Sequence, residues 1–304
     1  MEESYVLALK LVSSRYDSSY EYFNILVLAL STLLYKYNDK KDLVESIFKD
    51  VDIYIEKDSI PNLLKKNNIE IVDFGDNEDS VDDMGISHNG YDFIFEDNKV
   101  IISKGKPFII CNSNCNNTEL LNTFIHEFNH LVKFSDETSN LDKPEYTIRN
   151  GIGYFRCVYN PKTDTLYEYD YYHVLDEVIN VIETTEMMEN IELLPIDDLD
   201  IDRSLLSEDM SYELCVDLIR PLWDNPKFRN LIEDNIIDGS IDTIIRSFND
   251  TLGENSFERL ADYLDDLQYL EDINNNKKKY YRLINNIKKM VYEYNRKTIN
   301  IYKK

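Results

Sequence analysis

"NNTELLNTFIHEFNHLVKF", residues Asn116–Phe134, decides how the chain is read. It holds two of the four histidines in the sequence, His126 and His130, with Glu127 directly after the first. On an α-helix, residues four apart stack on one face, so both imidazoles can reach one ion. Glu127 is turned by about 100° from His126, near enough to hold a water on that ion without ligating it. That is the mechanical content of H-E-x-x-H. The rest of the stretch agrees with a helix. Leu121, Phe124, Ile125, Phe128, Leu131 and Val132 form an apolar side, while Glu119, Asn122, Thr123, His126, His130 and Lys133 run along the other. Asn116 and Glu119 have capping-box spacing. The histidines therefore belong to the face that lines a cleft, and the residues predict a divalent cation there.

A catalytic zinc needs a third protein ligand and keeps a fourth position for water. Three residues compete. Asp136 lies ten positions after His126, but that spacing needs a glycine to turn the chain, and Lys133 stands in its place. His173 ends a β-rich segment just before a helix. Glu177 lies in that helix, "HVLDEVINVIETTEM", and a second, roughly antiparallel helix can offer a carboxylate to the same ion. Glu177 is the preferred third ligand. A purely structural ion would need a fourth protein donor, for which Cys157 or Asp170 would have to serve.

With "HEFNH" and "LDEVINV" both present, the chain resembles the gluzincin zinc metallopeptidases over about residues 90–190. The resemblance implies a zincin-like fold, Zn2+ held by His126, His130 and Glu177, and Glu127 as the residue that activates a zinc-bound water against a peptide bond. It also implies an oxyanion-stabilising His or Tyr outside the metal helix. His173 is favoured, with Tyr171, Tyr172 and Tyr212 as alternatives. In thermolysin-like members the ligand glutamate follows an Asn and precedes an Asp by four; here Asp176 and Val181 occupy those positions. The carboxylate or amide orienting a ligand histidine is thus open among Asn180, Asp176 and Glu183.

Around this centre the pattern is α+β. Helical periodicity covers about 3–14, 20–37 and 40–50, with a short piece at 60–67. "IEIVDF" (69–74), "YDFIFE", "NKVIIS" and "KPFIIC" read as strands, the last as an edge able to pair with an extended substrate. "YTIRNGIGYFRCVYN" and "TLYEYDYY" read as one β-hairpin turning at Asn160-Pro161. A Pro/Asp-rich linker then leads to helices. The expected organisation is a helical N-terminal region (1–67), a zincin-like core with a small antiparallel sheet packed on the metal helix (68–192), and a helical C-terminal region completing the cleft (205–304).

Bulk properties narrow the partners. Hydrophobic residues make up 43% of 304, enough for a sizeable core. The net charge of −25 opposes nucleic acid as a partner. Lys277–Lys304 carries ten cations against Glu293, so this stretch is +9 and the remainder −34; it reads as a helix lying on an acidic body. No secretory signal is visible and the longest apolar run is too short for a bilayer. A cytoplasmic location follows, with export lacking a signal as the other route. "CNSNC" lacks a second pair for a zinc ribbon, and Asp198–Asp209 lacks the glycine of a calcium loop. The expected partner is a peptide or protein substrate. The alternative is a silent or regulatory zincin-fold protein acting by binding a protein partner, although such a protein would be expected to have lost Glu127.

Overall fold

The computed structural model describes residues 2–69, 84–96, 99–140, 145–160, 162–163, 165–193, 201, 212–270 and 276–299. The chain is α+β, mostly helical with small sheets, and divides into two compact units. One comprises Met1–Val132 with Glu183–Glu208, the other Lys133–Ile182 with Asp209–Lys304. This division differs from the three successive regions read from the sequence. The N-terminal helices belong with the metal helix, and the β-rich segment after it belongs with the C-terminal helices.

The first unit opens with α1 (Glu2–Ser13), α2 (Phe23–Lys36) and α3 (Lys41–Asp50). From Ile25 to Leu34 no residue of α2 is more than 2% exposed. A helix apolar all round is a core helix. Its two polar interior residues stay satisfied because the Ser31 and Thr32 hydroxyls donate to the carbonyls of Val27 and Leu28. Strand β1 (Asp52–Glu56) and α4 (Ile60–Lys66) follow, then β2 (Gly85–His88), β3 (Tyr91–Glu96), β4 (Lys99–Lys104), β5 (Phe108–Asn112) and α5 (Asn117–Val132). β3 and β4 form a separate hairpin.

The other three strands make a sheet of order β1-β5-β2, with β1 parallel to β5 and β2 antiparallel. Two expectations are corrected here. The sheet against the metal helix is mixed rather than antiparallel, because β1 enters from far upstream. The "KPFIIC" strand is its centre, hydrogen-bonded on both sides, and β1 and β2 are its edges among the described residues. "IEIVDF" and the acidic loop after it lie almost wholly outside the described residues.

In the second unit β6 (Ser135–Asn140), β7 (Glu145–Asn150), β8 (Gly153–Asn160) and β9 (Thr165–Tyr171) form an antiparallel meander in that order. The expected hairpin at Asn160-Pro161 is β8–β9, but "YTIRNGIGYFRCVYN" is itself two strands. They turn at Gly151, whose φ of +60° suits glycine. Helix α6 (His173–Glu189) comes next, and the division between units falls inside it. α7 (Glu213–Trp223), α8 (Pro226–Asn235), α9 (Ile241–Leu252), α10 (Ser256–Gln268) and α11 (Lys277–Ile299) complete this unit. Their shared core centres on Trp223, Phe228, Phe248, Phe257 and Tyr294, with Phe248 stacked on Tyr294 at 4.8 Å. The basic α11 is amphipathic: Leu283, Ile287, Val291 and Tyr294 are buried and its lysines face out. No helix of the described residues is long and apolar enough to cross a membrane.

Candidate metal centre

Helix α5 begins as the sequence predicts. Asn116 Oδ1 accepts from the backbone N–H of Thr118 and Glu119, and Glu119 Oε2 accepts from Asn116 N at 3.1 Å. The helix then runs unbroken through both histidines. His126 is half-buried and His130 is 6% exposed. Their Nε2 atoms stand 3.2 Å apart with the rings at 74°. Two nitrogens at about 2.05 Å from a tetrahedral ion would be about 3.3 Å apart. The imidazoles thus already hold the spacing of a chelate.

Glu177 joins them. One donor atom from each of His126, His130 and Glu177 lies within 4.8 Å of the others, the one such group among the described residues. Two imidazole nitrogens and a carboxylate oxygen are a donor set that could hold a divalent metal ion. Neither Cys157 nor Asp170 belongs to the group. All four cysteines are free thiols. Asp136 sits exposed on β6 with Arg149 opposite in the register, and is not in the group either.

Helix α6 is anchored to its surroundings at two buried carboxylates flanking Glu177. Glu183, 2% exposed, accepts from Asn129 Nδ2 at 3.2 Å and pairs with Lys36 at 3.7 Å. Asn129 in turn accepts from the Tyr37 hydroxyl. Asp176 accepts from Ile152 N at 2.8 Å and lies 4.0 Å from the buried Lys133 ammonium. A Cβ on Gly151 would come within 2.4 Å of the Asp176 carboxylate. Of the three candidates for orienting a ligand histidine, Asp176 is therefore engaged with the β7–β8 turn and Glu183 with Asn129 and Lys36. Asn180 is fully buried.

Glu127 is held from the other side. Ser87 Oγ, on edge strand β2, donates to Glu127 Oε2 at 2.8 Å. Two residues earlier, Gly85 permits this approach: a Cβ there would meet Thr123 Cγ2 at 2.4 Å and Glu127 Cγ at 3.0 Å. Ser87, Gly85 and Asn129 were not singled out from the sequence. Ser87 lies 40 residues from its partner, and no local spacing marks it.

His173 opens α6, one turn before Glu177, among acids rather than in the metal group. Desolvation raises the Asp170 carboxyl, with His173 opposing the shift and Glu177 adding to it. Burial pushes Asp265 up to about 6, against the Val174 N–H that it accepts and the nearby His173. The tyrosines separate clearly. Tyr171 stacks on Tyr154 at 4.5 Å, and Tyr172 packs edge-on against Phe257 at 5.4 Å. Tyr212 precedes α7 with a left-handed φ of 60°, uncommon for a bulky residue. Burial raises its phenol, and the charge of Glu177 adds to that shift. No protein-family description, no curated protein and no solved structure matches this chain.

Proposed function

We propose that the chain is a zinc-dependent metallopeptidase of the gluzincin kind, acting on a peptide or protein substrate. The observation that carries this reading is the convergence of His126, His130 and Glu177, with Glu127 beside them on the same helix. Bound by these three donors, zinc supplies Lewis-acid activation and brings the ionisation of a water toward pH of about 7. The chain's own residues do the remaining work. Glu127, fixed by Ser87, is the general base: it takes a proton as water oxygen bonds to the scissile carbonyl carbon. It then delivers that proton to the departing amine nitrogen as the C–N bond breaks. Donors near Glu177 stabilise the developing oxyanion, with Tyr212 and His173 as the candidates. Among the described residues β2 is an edge strand next to Glu127, along which an extended substrate backbone would pair.

The test combines metal analysis with a peptide library. Wild-type protein is expected to bind about one equivalent of zinc and to cleave, whereas Glu127→Gln keeps its zinc and its fold but loses turnover by about a hundredfold or more. A wild-type chain that takes up no metal, or a Glu127→Gln variant as active as wild type, refutes the reading.

A further inference from the structure

The second unit carries a polar groove of about 520 Å³ bounded by α8, α9 and α11. Helix α9 buries Ile241, Ile244 and Phe248. Its opposite face therefore lines the groove with Thr243, Arg246, Ser247 and Asp250, three to four residues apart as neighbours on one helical face must be. Lys227 reaches in from the first turn of α8, and Lys297 from the last turn of α11. Three cations from three helices thus face one acid, in a chain whose net charge is −25.

These cations are not occupied with each other's counterions. Among the described residues, neither the Lys227 ammonium nor the Arg246 guanidinium makes a hydrogen bond or ion pair, and Asp250 makes none with them. Lys297 alone has an internal role: its Nζ donates to the Thr251 carbonyl at 2.9 Å, which holds it at the groove. The N-terminal end of α8 adds partial positive charge of the same sign. Hydroxyls beside a forked guanidinium and a point-charge ammonium are the donor set for a tetrahedral oxyanion, since Arg binds such groups bidentately.

We propose that this groove is an anion-binding site that takes a phosphomonoester, carried either by a soluble molecule or by a lipid headgroup. Arg246 and Lys227 supply the charge-assisted hydrogen bonds, and Thr243 and Ser247 the neutral donors. The site is independent of the metal centre, so its test needs no peptidase activity.

Inorganic phosphate is titrated into the full-length chain by calorimetry at matched ionic strength, with chloride as the reference. The wild type is expected to bind phosphate and not chloride. Arg246→Gln and Lys227→Gln are each expected to weaken binding by about tenfold, while Lys288→Gln, an equal charge loss on the exposed side of α11, leaves it unchanged. Absence of phosphate binding overturns the proposal. So does binding insensitive to Arg246→Gln and Lys227→Gln, which would locate the anion elsewhere, and so does equal weakening by all three variants, which would reduce the effect to net charge. Vesicles bearing phosphomonoester headgroups distinguish the source. Capture reversed by free phosphate and lost in Arg246→Gln assigns the lipid, and phosphate binding without capture assigns a soluble ligand.

Discussion

Replacing Glu177 by alanine removes one of three donors that lie within 4.8 Å of one another and leaves the histidine pair, 3.2 Å apart, as a bidentate chelate. Even the outer hydrogen-bond partners of metal ligands are worth about 10–100-fold in affinity. Loss of a charged donor should therefore cost about 100-fold or more, ~2.7 kcal/mol. The same figure follows from stability. At free zinc of about 1,000 times the wild-type Kd, bound metal stabilises the fold by about 4.1 kcal/mol, and at about 10 times the variant's weaker Kd by only about 1.4 kcal/mol. Competition with a chromophoric zinc chelator measures the first quantity, and urea unfolding with and without zinc measures the second. Glu189→Ala, on the exposed end of the same helix, is the control. A Glu177→Ala protein that binds zinc as tightly as wild type and gains as much stability from it would refute the assignment of the third ligand, whatever the peptidase assays show.

Three further outcomes are expected. Gly85→Ala forces a methyl to within 2.4 Å of Thr123 Cγ2; overpacking of this kind costs about 1–3 kcal/mol, and an unchanged urea midpoint would show that β2 does not rest on α5 there. Ser87→Ala removes the 2.8 Å bond to Glu127. Turnover should fall by about tenfold with zinc content intact and partial recovery in Ser87→Thr, and equal turnover in all three proteins counts against a positioning role. Asp265 is raised from 3.8 to about 6 in the fold, so the folded chain binds this proton more tightly than the unfolded chain. Its favourable contribution is full below the ordinary carboxyl value and is lost as pH climbs through about 6. Asp265→Asn should accordingly match wild type near pH 3.8 and gain on it steadily up to pH about 6; a gap that narrows over that range contradicts the sign.

Most helices were legible because they bury one apolar stripe, and α2 because it is apolar all round. α5 announced itself through the 3.6-residue recurrence of Leu121, Phe124, Ile125, Phe128 and Val132, all buried. Glu177 was preferred because a second, roughly antiparallel helix can offer a carboxylate to the same ion, and it does lie in the donor group. The strands were harder. β6, "SDETSN", carries no strand signal, and it is a strand because β7 offers it a backbone ladder. The β7–β8 turn was written in plain sight as Asn150-Gly151, yet the apolar residues on both sides made one long run of it. β1 was hidden for another reason. Its alternation in "VDIYIE" follows directly on α3, and its partner β5 lies more than 50 residues downstream, beyond any local pattern. That same distant pairing turned the expected edge strand into the centre of its sheet. The contact between Ser87 and Glu127 is of this non-local type too, as is the grip of Asn129 on Glu183.

That grip has a consequence for which metal chemistry the chain can support. His173 and Glu177 stand one turn apart on α6, so sliding the helix along its axis by one pitch, about 5.4 Å, would exchange them and convert a site with two imidazoles and a carboxylate into one with three imidazoles. A set of three neutral donors would leave the ion its full double charge and make it a stronger acid toward whatever it polarises. The buried acid at position 183, clasped by an amide and an ammonium, cannot follow such a slide without abandoning both. Under the proposed metal reading, the residue that keeps Glu177 rather than His173 in the donor group would itself touch no ion.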